Sequence, residues 1–169
     1  MKNIRIVFGS DHAGYKLKEK LIKHVMQEYR GSIDELLDTG CETQERVDYP
    51  DYAKKVALEI QDDSRRIGVL VCGTGIGIGI AANRFDHIRC ALCDDNFSAE
   101  MSRKHNDANC ISLGARRTSF EDSVKIVEKF LYQTNDEECA CPLVISSVSA
   151  EILKNYQTPA NLSDREISM

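Results

Sequence analysis

Short apolar runs that suit β-strands alternate along this chain with segments whose apolar residues recur at helical spacing. The apolar runs lie at residues 4–8, 33–37, 67–71, 88–93 and 110–113. Strands that alternate with amphipathic helices form βαβ units, which align the strands in parallel and cover both faces of the sheet. The pattern therefore predicts an α/β, Rossmann-like, doubly wound fold with a parallel five-stranded sheet and helices on both faces.

The length of 169 residues suits a single domain with enough chain to bury a core. We expect this domain to span residues 1–157, with a C-terminal helix over 144–156 as its last element. Residues 158–169 carry no clear periodicity and are expected to form a loose C-terminal tail.

Composition excludes several classes of protein. Hydrophobic residues make up 42% of the chain and charged residues 29%, which is typical of a soluble protein. No apolar run is long enough for a membrane span or a signal peptide, so we expect neither membrane association nor secretion. The formal net charge of -5 argues against general nucleic-acid binding. Seven cysteines in such a chain are expected to be reduced thiols, which predicts a cytoplasmic protein.

One cysteine stands where a strand meets a glycine-rich turn. The apolar run 67–71 delivers Cys72, and Gly73, Gly75 and Gly77 follow before a short predicted helix. Unpaired N–H groups and the helix dipole place partial positive charge there, and glycine lets an anion approach the backbone. This environment favours the thiolate form of a cysteine, and its N–H groups can stabilise an oxyanion. The segment therefore indicates a reactive thiol beside an anion-binding loop.

Two better-known glycine motifs do not match this loop. A dinucleotide-binding G-x-G-x-x-G that starts at Gly73 or Gly75 would need glycine where Ile78 or Ile80 stands. A P-loop needs a lysine after its last glycine, and none follows here. Neither NAD nor ATP binding is supported. In open α/β sheets ligands bind beyond the carboxyl ends of the strands, where Asp11 and His12 should join the cysteine loop.

Four blocks of sequence together resemble the signatures of the ribose-5-phosphate isomerase B family, which also contains the galactose-6-phosphate isomerase subunits. These blocks are Ser-Asp-His-Ala-Gly at 10–14, Arg-Val-Asp-Tyr-Pro at 46–50, Cys-Gly-Thr-Gly-Ile-Gly at 72–77 and Ser-Arg-Lys-His-Asn-Asp at 102–107. They occur in the family's order and with family-like spacing, and the resemblance extends from the first strand to Arg116.

The resemblance implies an aldose–ketose isomerase that interconverts ribose 5-phosphate and ribulose 5-phosphate without a metal or organic cofactor. Cys72 matches the family's general base, and His105 matches the histidine that assists opening of the sugar ring. Further residues are implied to bind the sugar phosphate, namely Asp11, His12, Gly73, Thr74, Gly75, Ile76, Gly77, Asn106 and Arg116. Asp48 and Tyr49 are expected to line the same pocket.

The predicted topology separates the two catalytic candidates. His105 ends a helix that returns to the start of the fifth strand, so it should lie at the sheet edge opposite Cys72. We therefore expect the active site to form between two subunits of a homodimer or tetramer, with one of these residues from each chain. This expectation agrees with the dimeric habit that the resemblance implies.

Each candidate also has a purely structural interpretation. Cys72 could be a buried packing residue, and Asp11 a cap on the following helix. His105 could only complement a helix dipole, and the pair Arg116–Arg117 could be solvated. Of these two arginines we favour Arg116, because it matches a family arginine that contacts the phosphate or substrate.

The remaining cysteines invite a zinc interpretation that the spacing does not support. Cys90 and Cys93 form one pair, and Cys139 and Cys141 form another. The first pair lies inside a predicted strand, and no histidine or second C-x-x-C supplies further ligands at familiar spacing. Packing roles are therefore favoured.

Several activities stay open. The family often carries two arginines for phosphate in its C-terminal segment, whereas none occurs here between Arg117 and Arg165. Galactose-6-phosphate and allose-6-phosphate isomerases are the nearest alternatives, and a non-catalytic sugar-phosphate sensor is the alternative from another class. A thiol redox protein is disfavoured because no resolving cysteine is near Cys72 in the sequence.

Overall fold

Strands and helices alternate strictly in a computed structural model, which describes residues 4–133. The elements are β1 Ile4–Ser10, α1 Tyr15–Glu28, β2 Ile33–Asp38, α2 Tyr49–Asp62, β3 Arg66–Cys72, α3 Ile76–Ala82, β4 Cys90–Leu92, α4 Asn96–Lys104, β5 Cys110–Gly114 and α5 Phe120–Tyr132. The predicted helix at 144–156 and the tail at 158–169 lie outside the described residues.

The five strands form one parallel sheet in the order β2-β1-β3-β5-β4. The chain leaves β1 toward one edge of the sheet and leaves β3 toward the other, which is the doubly wound arrangement that the sequence predicts. The reversal falls between β1 and β3, and ligands of such sheets bind at the carboxyl ends of the strands that flank this point. The topology thus places a binding crevice beside Ser10 and Cys72.

Two apolar cores hold the helices on opposite faces of the sheet. One core joins α1, α4 and α5, with Leu21 and Phe130 fully buried in it. The other joins α2 and α3 through Val56 and Ile78, which are also inaccessible to solvent. Because both faces of the sheet are covered by helices, the strand sequences are nearly continuous hydrophobic runs.

The fourth strand is shorter than the apolar pattern predicts. The run at 88–93 pairs with β5 only over Cys90–Leu92. Before it, the backbone N–H of Ile88 closes a turn, and that of Arg89 donates to the side-chain oxygen of Asn109 at 2.8 Å. These partners replace the ladder of a sheet, so the apolar character of Ile88 reflects burial rather than strand geometry.

The described part of the chain contains no helix that is both long and apolar enough to span a lipid bilayer. Within residues 4–133, no group of three or more histidine, cysteine, aspartate or glutamate side chains is arranged to hold a metal ion. Cys90 in β4 and Cys93 just after it lie on different faces of the sheet. Cys90 packs against the α2–α3 core, and Cys93 belongs to the other core.

Candidate active site

The candidate catalytic cysteine lies at the end of β3, under the first turn of the loop that follows. The backbone N–H of Gly75 donates a hydrogen bond to Cys72 Sγ at 3.1 Å. The Cys72 side chain is 4% exposed and contacts the α2–α3 core. An N–H dipole that points at sulfur stabilises a negative charge there more than a neutral thiol. The loop therefore sets one backbone hydrogen-bond donor directly against the sulfur.

Only glycine fits at the start of α3. Gly75 has a φ of +78°, in the left-handed region that side chains disfavour. A Cβ at this position would lie 2.6 Å from Leu92 Cδ1 and 2.9 Å from the carbonyl carbon of Leu113. The left-handed conformation of Gly75 leads the chain into α3, and the N–H of the same residue makes the contact with sulfur.

The loop is fastened to the end of the neighbouring strand β5. The N–H of Ala115 donates to the carbonyl of Cys72 at 2.8 Å, and that of Arg116 donates to the carbonyl of Gly73 at 3.0 Å. A Cβ built on Gly73 would lie 3.4 Å from the guanidinium of Arg116, so this exposed cation rests against the loop. A permanent positive charge thus lies against the loop that follows the candidate thiol.

The end of β1 brings a buried carboxylate to the same edge. Asp11 Oδ1 accepts hydrogen bonds from the N–H groups of Ala13 and Gly14, both at 2.9 Å. The N–H of Asp11 in turn donates to the carbonyl of Val71 at 3.2 Å. Asp11 therefore holds the turn that precedes α1 rather than capping the helix itself, whose N-cap is Gly14 without a side-chain cap, and this turn lies against β3 next to the cysteine.

His12 and Tyr49 form the side of the crevice that faces α2. Nδ1 of His12 lies 3.2 Å from both the backbone N and O of Val47, so Val47 holds this nitrogen in either tautomer. Tyr49, the first residue of α2, packs its ring on Gly77, where a Cβ would lie 2.8 Å from Tyr49 Cζ.

Most of the residues predicted for the site meet at this carboxyl edge of the sheet. They are Asp11, His12, Cys72, Gly73, Thr74, Gly75, Ile76, Gly77 and Arg116. The Thr74 hydroxyl is exposed on the loop, where it accepts a hydrogen bond from the N–H of Ile76 at 3.4 Å. The loop thus presents backbone donors, a hydroxyl and a thiol within one turn.

His105 and Asn106 are not part of this assembly. His105 ends α4, and the strand that follows begins at Cys110, whereas Cys72 is paired with Gly114 at the other end of that strand. Four residues of strand between these levels span about 13 Å, so His105 of the same chain cannot reach the thiol. The separation predicted from the sequence is confirmed.

Two supporting residues, Val47 and Leu92, are not among those that the sequence predicts for the site. Val47 contacts His12 through its backbone N and O, and a backbone contact cannot be recognised from the identity of a side chain. Leu92 packs against Gly75 because β5 places β4 at the sheet edge beyond it, and this order of strands is a non-local property.

Comparisons with known proteins agree with this geometry. A family model described as Ribose/Galactose Isomerase matches residues 6–141. The chain is 42% identical over 127 residues to ribose-5-phosphate isomerase B of Escherichia coli strain K12, covering 75% of this chain and 83% of that protein.

Solved structures give the same result. Ribose-5-phosphate isomerase B of Clostridium thermocellum is similar with a TM-score of 0.81 and 37% identity, covering 90% of this chain and 99% of that one. The corresponding protein of Thermotoga maritima has a TM-score of 0.74 and 42% identity, covering 79% and 90%. With the family match extending over every described element that contributes to the site, this chain belongs to the ribose/galactose isomerase family.

Proposed function

We propose that this protein is an aldose–ketose isomerase that interconverts ribose 5-phosphate and ribulose 5-phosphate. The contact between Cys72 Sγ and the Gly75 N–H carries the proposal, because it sets a backbone hydrogen-bond donor against the proposed base at the ligand-binding edge of the sheet. The similarity to ribose-5-phosphate isomerase B of Escherichia coli supports this choice of substrate.

The proposed chemistry is general acid–base catalysis through an enediolate. The Cys72 thiolate removes the proton from C2 of the open-chain aldose. The electrons of the broken C–H bond move toward C1, and the carbonyl oxygen becomes an oxyanion. The proton of the C2 hydroxyl passes to the C1 oxygen, C2 and its oxygen become the new carbonyl, and the electrons of the C1–C2 double bond take back a proton at C1 to give the ketose. The cysteine forms no covalent bond with the sugar.

Backbone donors and one cation are proposed to hold the charged parts of the substrate. N–H groups of the Gly73–Gly77 loop stabilise the enediolate, because oriented dipoles act strongly in a site that excludes water. Arg116 rests against Gly73 and is proposed to bind the phosphate, together with Nε2 of His12. Asp11 acts mainly by holding the β1 loop in place.

We propose that His105 of a second copy completes the site and assists ring opening. Support comes from the separation of about 13 Å along β5, which no rotation of side chains overcomes. The side chains of Ile76 and Ile80, one turn apart on α3, are 44% and 63% exposed beside the loop. This apolar surface suits a homodimer contact that brings a partner to the loop. A cytoplasmic location fits the five free thiols found among residues 4–133.

The direct test is an isomerase assay with purified protein in the presence of a metal chelator. Ribose 5-phosphate, allose 6-phosphate and galactose 6-phosphate are compared at equal concentrations. Preferred turnover of ribose 5-phosphate supports the proposal. Preferred turnover of a six-carbon sugar overturns the choice of substrate, and binding without any turnover indicates a sensor.

The shared site has its own test, which mixes two inactive variants. Cys72→Ala and His105→Ala homodimers are each expected to be inactive. Exchange of subunits creates heterodimers in which one of the two sites holds both native residues, so about a quarter of the wild-type activity should return. No recovery, after mass spectrometry has shown that heterodimers formed, would contradict a site shared between subunits.

A further inference from the structure

Two cysteines outside the candidate active site face each other across neighbouring strands. Cys90 of β4 and Cys110 of β5 are direct partners in the parallel register. Paired residues on adjacent strands lie about 4.8 Å apart, within the range of about 4.4–6.8 Å that Cα atoms of disulfides span. Both side chains pack on the α2–α3 side of the sheet. The backbone therefore already holds the two residues at the separation that a disulfide needs.

The two thiols differ in their access to solvent. Complete burial raises the pKa of the Cys110 thiol well above its ordinary range, and a hydrogen bond with the Cys90 thiol raises it further. Cys110 therefore remains protonated and unreactive toward a dissolved oxidant. Cys90 is only partly buried and lines a cavity of about 310 Å³ together with Asn83 and Asn106. An oxidant of small size meets Cys90 first.

The neighbouring cysteine in the sequence is excluded by geometry. Cys93 is three residues beyond Cys90, but it is fully buried in the core on the other face of the sheet, beside α4. Burial raises the pKa of its thiol to about 11. Although Cys90 and Cys93 form a C-x-x-C sequence, the strand separates them, and the partner of Cys90 is supplied by β5.

We propose that Cys90 and Cys110 form a reversible disulfide when the protein meets a peroxide. The Cys90 thiolate attacks one peroxide oxygen, the O–O bond breaks, and the second oxygen leaves as water after protonation. The sulfur of Cys110 then attacks the resulting sulfenic acid. The S–S bond forms, the S–O bond breaks, and the leaving hydroxide takes the Cys110 proton. Two thiols are thus oxidised to one disulfide while one hydrogen peroxide is reduced to two waters.

The experiment treats the reduced full-length protein with hydrogen peroxide, blocks remaining thiols by alkylation and digests it with trypsin without reduction. Cleavage after arginine and lysine yields one peptide over 90–103, which contains Cys90 and Cys93, and another over 105–116, which contains Cys110. The expected product is these two peptides joined, with a mass two hydrogens below their sum. Dithiothreitol should separate them.

Variants identify the bond. The joined peptide should persist in Cys93→Ala and disappear in Cys90→Ala, whose partly exposed position tolerates the smaller side chain. Its persistence in Cys72→Ala would show that it does not arise by exchange with the candidate catalytic thiol. Absence of the joined peptide in the wild type overturns the proposal, whether the sulfurs do not react or a second subunit closes the cavity. Persistence in Cys90→Ala overturns it as well.

Discussion

The backbone N–H of Gly75 points at the sulfur of Cys72 across 3.1 Å, and the same glycine adopts the left-handed conformation that leads the chain into α3. A helix that began with any other residue at this position would need a different turn. One residue therefore supplies both the hydrogen-bond donor to the thiol and the turn into the helix.

Replacement of the proposed base should abolish isomerisation without unfolding the protein. For Cys72→Ala we expect kcat to fall by about 10²–10⁴-fold, the usual contribution of a positioned base. Cys72→Ser should be similarly impaired, because a hydroxyl does not ionise near neutral pH. Steady-state kinetics with ribose 5-phosphate measure the effect, and circular dichroism checks the fold. A Cys72→Ala protein that retains its activity would exclude the cysteine as the base.

The glycine at the start of α3 should be sensitive even to one methyl group. Gly75→Ala is expected to lower the free energy of unfolding by about 1–3 kcal/mol, because alanine is strained at positive φ and its Cβ meets Leu92. Gly31→Ala is the matched control, since no atom lies within 4 Å of its Cβ position. It should change stability by about 0.5 kcal/mol at most. Urea unfolding compares the two, and equal effects would refute the argument.

The two adjacent arginines after β5 should behave differently. Arg116→Ala is expected to lower kcat/KM for ribose 5-phosphate by about tenfold to a hundredfold, because hydrogen bonds to charged groups contribute about 1.5–3 kcal/mol. Arg117 instead pairs with Asp94 at 2.5 Å on the surface, so Arg117→Ala should leave kinetics nearly unchanged. The test compares kcat/KM for ribose 5-phosphate between the wild type and the two variants. A larger effect from Arg117→Ala would reassign the phosphate contact.

The Asp63 carboxylate, at the edge of the sheet opposite the candidate site, should stabilise the fold at neutral pH and lose this effect in acid. Asp63 accepts hydrogen bonds from Arg65 and from Arg5, and these partners hold the pKa of its carboxyl well below the usual range. A depressed pKa in the folded state means that the stabilisation is present above about pH 4 and is lost as the pH falls through the folded value. Asp63→Asn should therefore be less stable than the wild type at pH 7.

The difference in urea midpoint between Asp63→Asn and the wild type should narrow as the pH falls below about 4. Its exposed neighbour Asp62 provides the control variant Asp62→Asn. A difference that stays constant from pH 7 to pH 3 would show that the ion pairs of Asp63 do not contribute.

The strands, the helices and the glycine-rich loop beside Cys72 are predictable from local sequence alone. Apolar periodicity marks each strand and helix, and glycine beside Cys72 marks the loop, because backbone conformation responds first to neighbouring residues. Even the separation of His105 from Cys72 follows from the parallel direction of the strands. The length of β4 was misjudged because apolar Ile88 is buried without joining the ladder.

Contacts between residues that are far apart along the chain follow from the tertiary fold and are not predictable from local sequence. The insertion of β5 between β3 and β4 puts Arg116 against Gly73 and pairs Cys90 with Cys110. The hold of Val47 on His12 likewise joins two loops that are far apart in the chain. Such contacts depend on how the helices bury their apolar faces on both sides of the sheet, and this global packing is not encoded in any single segment.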